Sequence, residues 1–557
     1  MTAKLTPHLR LRNAQDFIEN LAEGSHTAGR NHYIFIGRTK EWDLNLTSDP
    51  IVSETSPPTP TNTLEEEMTS RDHMIALKKV RDVDSTLVVK RFNWDSSGNT
   101  IYAQYDTSDP DLANHPTQED VQIGNNAGYR AGSHYVITED YNVFKCLSNG
   151  NGAKSTVKPT VPNNPSDLIN SIDGYVWKYL FSLSNFQTQY FLTNQWIPVK
   201  KLTENNQTKQ WDVQTSAVDG AIDSYIIRDG GSNYVNVLSG TLDSATSTTG
   251  TLPDVEERSL TDNAYVGCHI WITGGTGFPS GPFVITAYNA ATRAITISGS
   301  WSVGEGTAFE ILPRVIVSGS GSGATAKALV DETTKRVKQI IRISGGSNYS
   351  HATVSLTGGT TGTTATVSAQ ISPIGGHGAD VERELNACYV MLTARLAYDD
   401  GSQDFPLSND YRQIGLVRDV KTTNGQLCDS LTLRASKALR LTGVTVTGFS
   451  TFQPDEQIAG PAGDSTARGK VIAVIPGSGA TDATIHYYQD ATTGYVPFQD
   501  GMSISGAVSG ATADVAGGGV IAPEIDKLSG DILYIDNRRA ILRAPNQTEI
   551  LRTVIKF

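Results

Sequence analysis

The sequence predicts a mainly β protein with some α, built as a discontinuous α+β core domain that carries inserted β-sandwich or barrel-like modules. Three observations lead there. Glycine occurs 52 times and charged residues make up only 18% of 557 positions, a balance that suits strands joined by tight turns, because Gly supplies the positive φ such turns need. Two long stretches, about 219–372 and 426–527, consist of short apolar alternations between Gly-rich turns, the spacing of all-β modules. The remainder mixes helix and strand patterns, and at this length several cores are expected rather than one.

The organisation read from composition is a core whose first part is 1–218, an inserted Gly/Ser/Thr-rich β-module or modules at 219–372, a second core part at 373–425, a second inserted β-module at 426–527, and closing core strands at 528–557. Surface loops accept such insertions at small entropic cost.

Along the chain, 13–21 has a helical period that places Phe17, Ile18 and Leu21 on one face. Tyr33-Ile34-Phe35-Ile36 reads as a strand stopped by Gly37. After a Pro-rich stretch, Thr63 and Glu66 form a capping-box pattern that predicts a helix start, with Glu66 reaching back to the cap. Strands are expected at 87–89 and 141–144, and 167–181 reads as a short helix running into a strand. Within the first Gly-rich block, Ile226-Ile227-Arg228-Asp229-Gly230-Gly231-Ser232-Asn233-Tyr234 returns as 340–349, a strand, a Gly-Gly turn and an aromatic anchor. A Ser-Gly-Ala-Thr turn recurs at 322–325, 478–481 and 509–512, and 452–460 loosely resembles 498–506.

The formal charge of −13 opposes a sequence-independent grip on nucleic acid, which needs clustered cations. Cys146, Cys268, Cys388 and Cys428 lie far apart without metal-ligand spacing, so buried free thiols and a reducing compartment are expected. The first residues lack a signal-peptide core, and no apolar run approaches the ~20 residues of a membrane span. The expectation is therefore a protein made in a cytoplasm without a membrane anchor, on which the sequons at Asn45, Asn206 and Asn546 are chance matches.

Chemical motifs are weak. Gly319-Ser320-Gly321-Ser322-Gly323 has no following Lys-Ser or Lys-Thr and reads as a turn between strands. His377 with Asp380 stands in a Gly-rich loop without a second ligand nearby and reads as a structural junction. Asp399, Asp400 and Asp404 lack the spacing of a calcium loop and read as a solvated turn. Arg38, Lys40, Arg538 and Arg539 form a candidate basic edge, or simply solvent-facing side chains. No catalytic, metal or cofactor-binding residue is assigned, and an enzyme is not expected.

Four stretches carry a resemblance: Tyr33 to Arg38 with Trp42, 173–181 (Asp-Gly-Tyr-Val-Trp-Lys-Tyr-Leu-Phe), Tyr411-Arg412-Gln413-Ile414 after Phe405-Pro406, and Gly530 through Asn537-Arg538 to Phe557. In this order they resemble the baseplate wedge subunit of T-even-type contractile-tailed phages, a dimeric protein of early wedge assembly. The matching positions are Gly37, Arg38, Trp42, Asp173, Gly174, Tyr175, Trp177, Tyr179, Phe181, Tyr411, Gln413, Asn537 and Arg538. The resemblance covers the core parts, and the much shorter T-even protein has no counterpart to the two Gly-rich blocks. It implies a structural subunit of the virion tail baseplate, assembled in the host cytoplasm. Such a subunit forms a homodimer, binds other baseplate wedge proteins and transmits conformational change. The inserted modules would add contacts to fibre or peripheral baseplate proteins. A receptor-binding adhesin or fibre-attachment protein of a phage tail is the alternative, since Gly- and Thr-rich β-modules suit it equally.

Overall fold

The computed structural model describes residues 6–22, 31–48, 51–107, 130–132, 134–278, 281–396, 405–445, 451–545, 547 and 549–557. Strands make up 44% of it and helices 9%, the mainly β composition with some α that the glycine and charge balance predicts. Two compact units form, one from Met1–Leu11 with Val88–Ala387 and one from Arg12–Leu87 with Cys388–Phe557.

In the first unit, the strands Tyr135–Ile137, Asn142–Asn149, Tyr175–Ser182 and Leu168–Asn170 form one antiparallel sheet in that order. The expected helix within 167–181 is absent: the segment is a hairpin of two strands. Asp173-Gly174 decides this, because Gly174 adopts φ +87° and its N–H donates to Ser171 O at 3.0 Å, while Ser171 N–H donates to Tyr175 O at 2.8 Å. An Asp-Gly pair between apolar runs is a strong hairpin signal. One face of this sheet is an aromatic core of Phe144, Tyr175, Trp177 and Tyr179, joined by Tyr102.

The first Gly-rich block begins and ends in a single strand pair, Ile222–Asp229 with Thr366–Ile371, in which Ile222 stands opposite Ile371. Between them lie a seven-stranded sheet, with Leu252, Tyr265, Ile270, Ile285, Ile295 and Ile311 in its core, and a four-stranded sheet. The sequence repeat has a backbone basis. Gly231 and Gly346 take φ +65° and +61°, and Asn233 and Asn348 take φ +53° and +63°. Each copy ends in a buried tyrosine whose hydroxyl accepts an amide N–H from an alanine: Ala365 to Tyr234 at 2.8 Å and Ala324 to Tyr349 at 3.4 Å. The copies differ in one respect, since Gly345-Gly346 stays inside the strand Val337–Ser347 rather than turning. A Cβ on Gly346 would lie 2.3 Å from Ser322 O, so the close backbone approach requires glycine.

In the second unit, an antiparallel sheet has the order Thr432–Arg434, Met74–Val80, His32–Gly37, Asn409–Arg418, Asp531–Arg543. His32–Gly37 lies between two strands and is buried along its whole length, as a central strand must be. Tyr389–Leu396 pairs with Glu549–Lys556. The helix Pro7–Ala22 contains the predicted 13–21 segment, with Ala14 and Leu21 buried and Phe17 against His32 at 5.2 Å. Leu64–Asp72 is the second predicted helix; Thr63 accepts from Glu66 N–H at 3.3 Å. Glu66 reaches past the cap to the N–H and hydroxyl of Thr61.

The second Gly-rich block is a closed six-stranded barrel, Lys437–Thr442, Ala483–Tyr488, Ser465–Pro476, Gln457–Ala462, Ser503–Gly506 and Thr512–Ile521 in spatial order. Leu439, Ile458, Val471, Ile485, Ile504 and Val515 fill it. Closure removes exposed edges. Ala438 faces Ile521, so this block also enters and leaves at one place. The two similar segments pair as neighbours, with Ile458 opposite Gly506, and Phe452 and Phe498 are both in the barrel core. Of the Ser-Gly-Ala-Thr copies, 478–481 forms a turn and 509–512 leads from one into the next strand, whereas 322–325 starts a strand.

Candidate functional site

Three of the four resembling stretches meet in the second unit as adjacent strands. Gly37 stands opposite Gln413, and Gln413 opposite Asn537. Gln413 Nε2 donates to Asn537 Oδ1 at 2.9 Å, and Asn537 Nδ2 donates to Pro58 O at 3.1 Å and to Glu66 Oε1 at 3.2 Å. A Cβ at 37 would lie 3.0 Å from His73 O, a tight approach that glycine relieves. The strand then stops at Arg38, whose φ of +61° turns the chain so that its guanidinium lies 3.9 Å from the Trp42 ring centroid, within cation–π range. Trp42 Nε1 in turn donates to Arg538 O at 2.7 Å.

Two residues missed by sequence reasoning complete this site. Glu54 accepts the amides of Trp42 at 3.1 Å and Ala540 at 3.3 Å, and Arg412 Nε donates to the same carboxylate at 2.6 Å. Desolvation opposes the charge of Glu54, but the Trp42 amide and the Arg412 guanidinium outweigh it and hold the carboxyl below its ordinary range. Arg412 is itself buried and also donates to Asp410 Oδ1 at 2.8 Å. Arg412 lies between two singled-out positions, Tyr411 and Gln413; no sequence signal marks Glu54. Trp42, Glu54 and Pro58 meet the outer edge of Asp531–Arg543 at Arg538 O, the Ala540 amide and the Asn537 side chain, covering backbone groups that would otherwise template pairing with another chain.

Tyr411 is buried, its hydroxyl is without a partner, and burial pushes the phenol pKa up. Arg543, also buried, approaches Glu549 at 3.7 Å. Two of the four positions of the candidate basic edge are paired with carboxylates, Lys40 Nζ with Asp43 at 3.2 Å and Arg538 Nε with Asp536 at 2.7 Å, while Arg38 lies over the Trp42 ring. Arg539 is exposed.

All six of Asp173, Gly174, Tyr175, Trp177, Tyr179 and Phe181 belong to the first unit: Tyr175, Trp177 and Tyr179 are part of its aromatic core, Phe181 is buried on the same strand, and Asp173 and Gly174 form the half-buried turn before it. Tyr175 and Trp177 stack at 5.4 Å with 13° between planes, and Tyr102 meets Trp177 edge-on at 5.4 Å. Asp173 holds the approach to the strand by accepting the amides of Thr156 and Val157 at 2.8 and 2.9 Å.

His377 stands in a buried ionic cluster of the same unit. Glu384 Oε1 lies 2.8 Å from Lys145 Nζ and 2.5 Å from His377 Nδ1, and Oε2 accepts the Gly378 amide at 2.6 Å. The Lys145 ammonium also sits 4.1 Å from the Tyr105 ring centroid. Burial alone would raise Glu384, yet Lys145 and His377 hold it well below the usual carboxylate range. Asp380, the second residue of the motif, caps the helix Val381–Glu384 by accepting from Arg383 N–H at 3.1 Å. The sequence signal was a lysine inside the otherwise apolar run Val143-Phe144-Lys145-Cys146-Leu147, which leaves no solvent face for it.

Within Gly319 to Gly323, Ser320-Gly321 is the tight connection between the strands Arg314–Gly319 and Ser322–Val330, and all four cysteines are buried and outside any disulfide. Asp399, Asp400, Asp404 and Asn546 lie outside the described residues. Among the described residues no cluster of three metal-ligating side chains occurs, and no helix is long and apolar enough to cross a membrane. Comparison with protein-family models and with curated proteins finds no match to this chain.

Proposed function

We propose that this chain is a structural subunit of a phage tail baseplate wedge, which scaffolds assembly by dimerising and binding neighbouring wedge proteins and transmits conformational change in the baseplate. The observation that carries the reading is the row Gly37, Gln413, Asn537. These residues come from three distant stretches that resemble the T-even wedge subunit, and they stand side by side across adjacent strands, braced by Trp42 on Arg538. Three of the four resembling stretches, scattered along 500 residues, thus meet in one local structure.

A second copy is the first partner proposed. Glu549–Lys556 pairs with Tyr389–Leu396 and ends its sheet. Its sequence is self-complementary when a second strand is laid antiparallel in register. Glu549 then meets Lys556, Ile550 meets Ile555, Leu551 meets Val554, and Arg552 meets Thr553. Opposite charges and apolar pairs placed across strands each contribute about 0.2–1 kcal/mol. Ile550 is exposed on this strand. Neighbouring wedge proteins and, through the two Gly-rich blocks, fibre or peripheral proteins are the further partners.

Ile550→Lys tests the dimer directly. By light scattering the variant is expected to have the mass of one chain where the unaltered protein has that of two, with an unchanged circular dichroism spectrum and an unfolding midpoint that no longer depends on protein concentration. A variant that remains a dimer removes this strand from the interface; a trimeric unaltered protein that binds host glycan favours the adhesin.

A further inference from the structure

We infer that Lys145 and Glu384 of the first unit are a modification site at which the two side chains condense into an intramolecular amide cross-link, with His377 carrying the proton, independent of the scaffold reading. The reacting groups already touch, with Lys145 Nζ 2.8 Å from Glu384 Oε1. That contact sets the amine beside the carboxyl carbon, where a small approach makes a near-attack arrangement. His377 Nδ1 is 2.5 Å from the same oxygen and 3.5 Å from Lys145 Nζ, so one ring nitrogen reaches both ends of the proton transfer. The Gly378 amide donates to Glu384 Oε2 at 2.6 Å, and a fixed N–H at that oxygen stabilises the charge that develops on it during attack.

The surroundings favour the product over the ion pair. The side chains of Lys145 and Glu384 are each 2% exposed and that of His377 1%, and the Tyr105 ring faces the ammonium and meets His377 edge-on at 4.8 Å. Holding two charges out of water is costly, whereas an amide in their place is neutral. Passing one proton from Lys145 to Glu384 removes both charges at once and leaves an amine facing a carboxylic acid. Burial pushes the Lys145 ammonium down, in the same direction, and the ionisation of Glu384 depends on the very cation that is lost. The Nζ lone pair then attacks Cδ and the Cδ–Oε1 bond breaks. Oε1 departs as water with two protons, both from the original ammonium, and Oε2 stays as the amide oxygen on the Gly378 N–H. One ammonium and one carboxylate thus become one secondary amide and one water, with no other reactant. The bond ties the strand Asn142–Asn149 to the helix Val381–Glu384 and so closes a loop that contains the whole first Gly-rich block.

The test is mass spectrometry of the purified full chain, intact and after trypsin. The chain is expected to be lighter than its sequence by one water, to resist cleavage after Lys145, and to yield a branched peptide joining the segments of Lys145 and Glu384. Lys145→Met has no amine to condense and is expected to show the full mass of its own sequence. His377→Gln should slow the condensation by on the order of 100-fold, the contribution of a positioned acid–base group, leaving mostly uncondensed chain at a fixed time after expression. A full sequence mass for the unaltered chain, cleavage after Lys145, or a water loss that maps to other residues overturns the cross-link, whether or not the variants fold. Condensation as complete in His377→Gln as in the unaltered chain overturns the part given to His377.

Discussion

Trp177 shows how far a single residue could be read from sequence. It stands in a run with three other aromatics, and it is fully buried between Tyr175 and Tyr102. Trp177→Ala should lower the unfolding free energy by about 3–5 kcal/mol in urea titration. Lys145 and Glu384 were not legible in the same way, because their meeting depends on a contact between residues 239 positions apart. Neutralising one partner leaves the other charge buried, so Glu384→Gln is expected to cost about 3–5 kcal/mol. Lys145→Met combined with Glu384→Leu should cost less than either single change in the same titration. His486 gives a pH signature. Its ring is buried with Nδ1 3.0 Å from Ser436 Oγ, and burial, helped by Arg434, pushes it down to about 4. The unfolded chain therefore takes up this proton first, so the contribution is complete above about pH 6.5 and declines toward pH 4. It amounts to roughly 3 kcal/mol, and His486→Gln should flatten that part of the stability profile.

At the scale of elements, strands with a sharp stop were the legible ones. His32–Gly37 ends where Gly37 abuts His73 and Arg38 turns with positive φ, and the Gly-Arg pair signals that stop. The 167–181 segment was misread, since its apolar spacing fits a helix until the Asp173-Gly174 turn is given its full weight. The Gly-rich repeat was recognised by its letters. Its meaning is conformational, a left-handed Gly and a left-handed Asn before an anchored tyrosine. Glu54 had no sequence signal because it lies in a Pro- and Ser-rich segment whose described residues pair through isolated bridges, Asn45 with Val52 and Ser53 with Ser56, rather than through a strand. Glu54→Ala should leave the Trp42 and Ala540 amides and Arg412 without their acceptor. At about 1–3 kcal/mol for a lost hydrogen bond to a charged group, this is measurable by thermal unfolding.

For the whole molecule, each Gly-rich block enters and leaves through paired strands, Ile222 against Ile371 and Ala438 against Ile521. Directly opposed residues have Cα atoms only about 4.5–5.5 Å apart, so a short linker can close either gap. Replacing 223–370 by a few Gly and Ser residues should therefore leave a folded protein with cooperative unfolding by circular dichroism; an insoluble or non-cooperative product would mean that the block is integral to its unit. The central claim is that the chain scaffolds a tail baseplate, and it is tested most directly by the solution mass of the purified protein, measured by light scattering with and without co-expressed candidate wedge proteins. The account predicts a dimer that enters a larger complex when those proteins are present. A trimer that ignores them would contradict it.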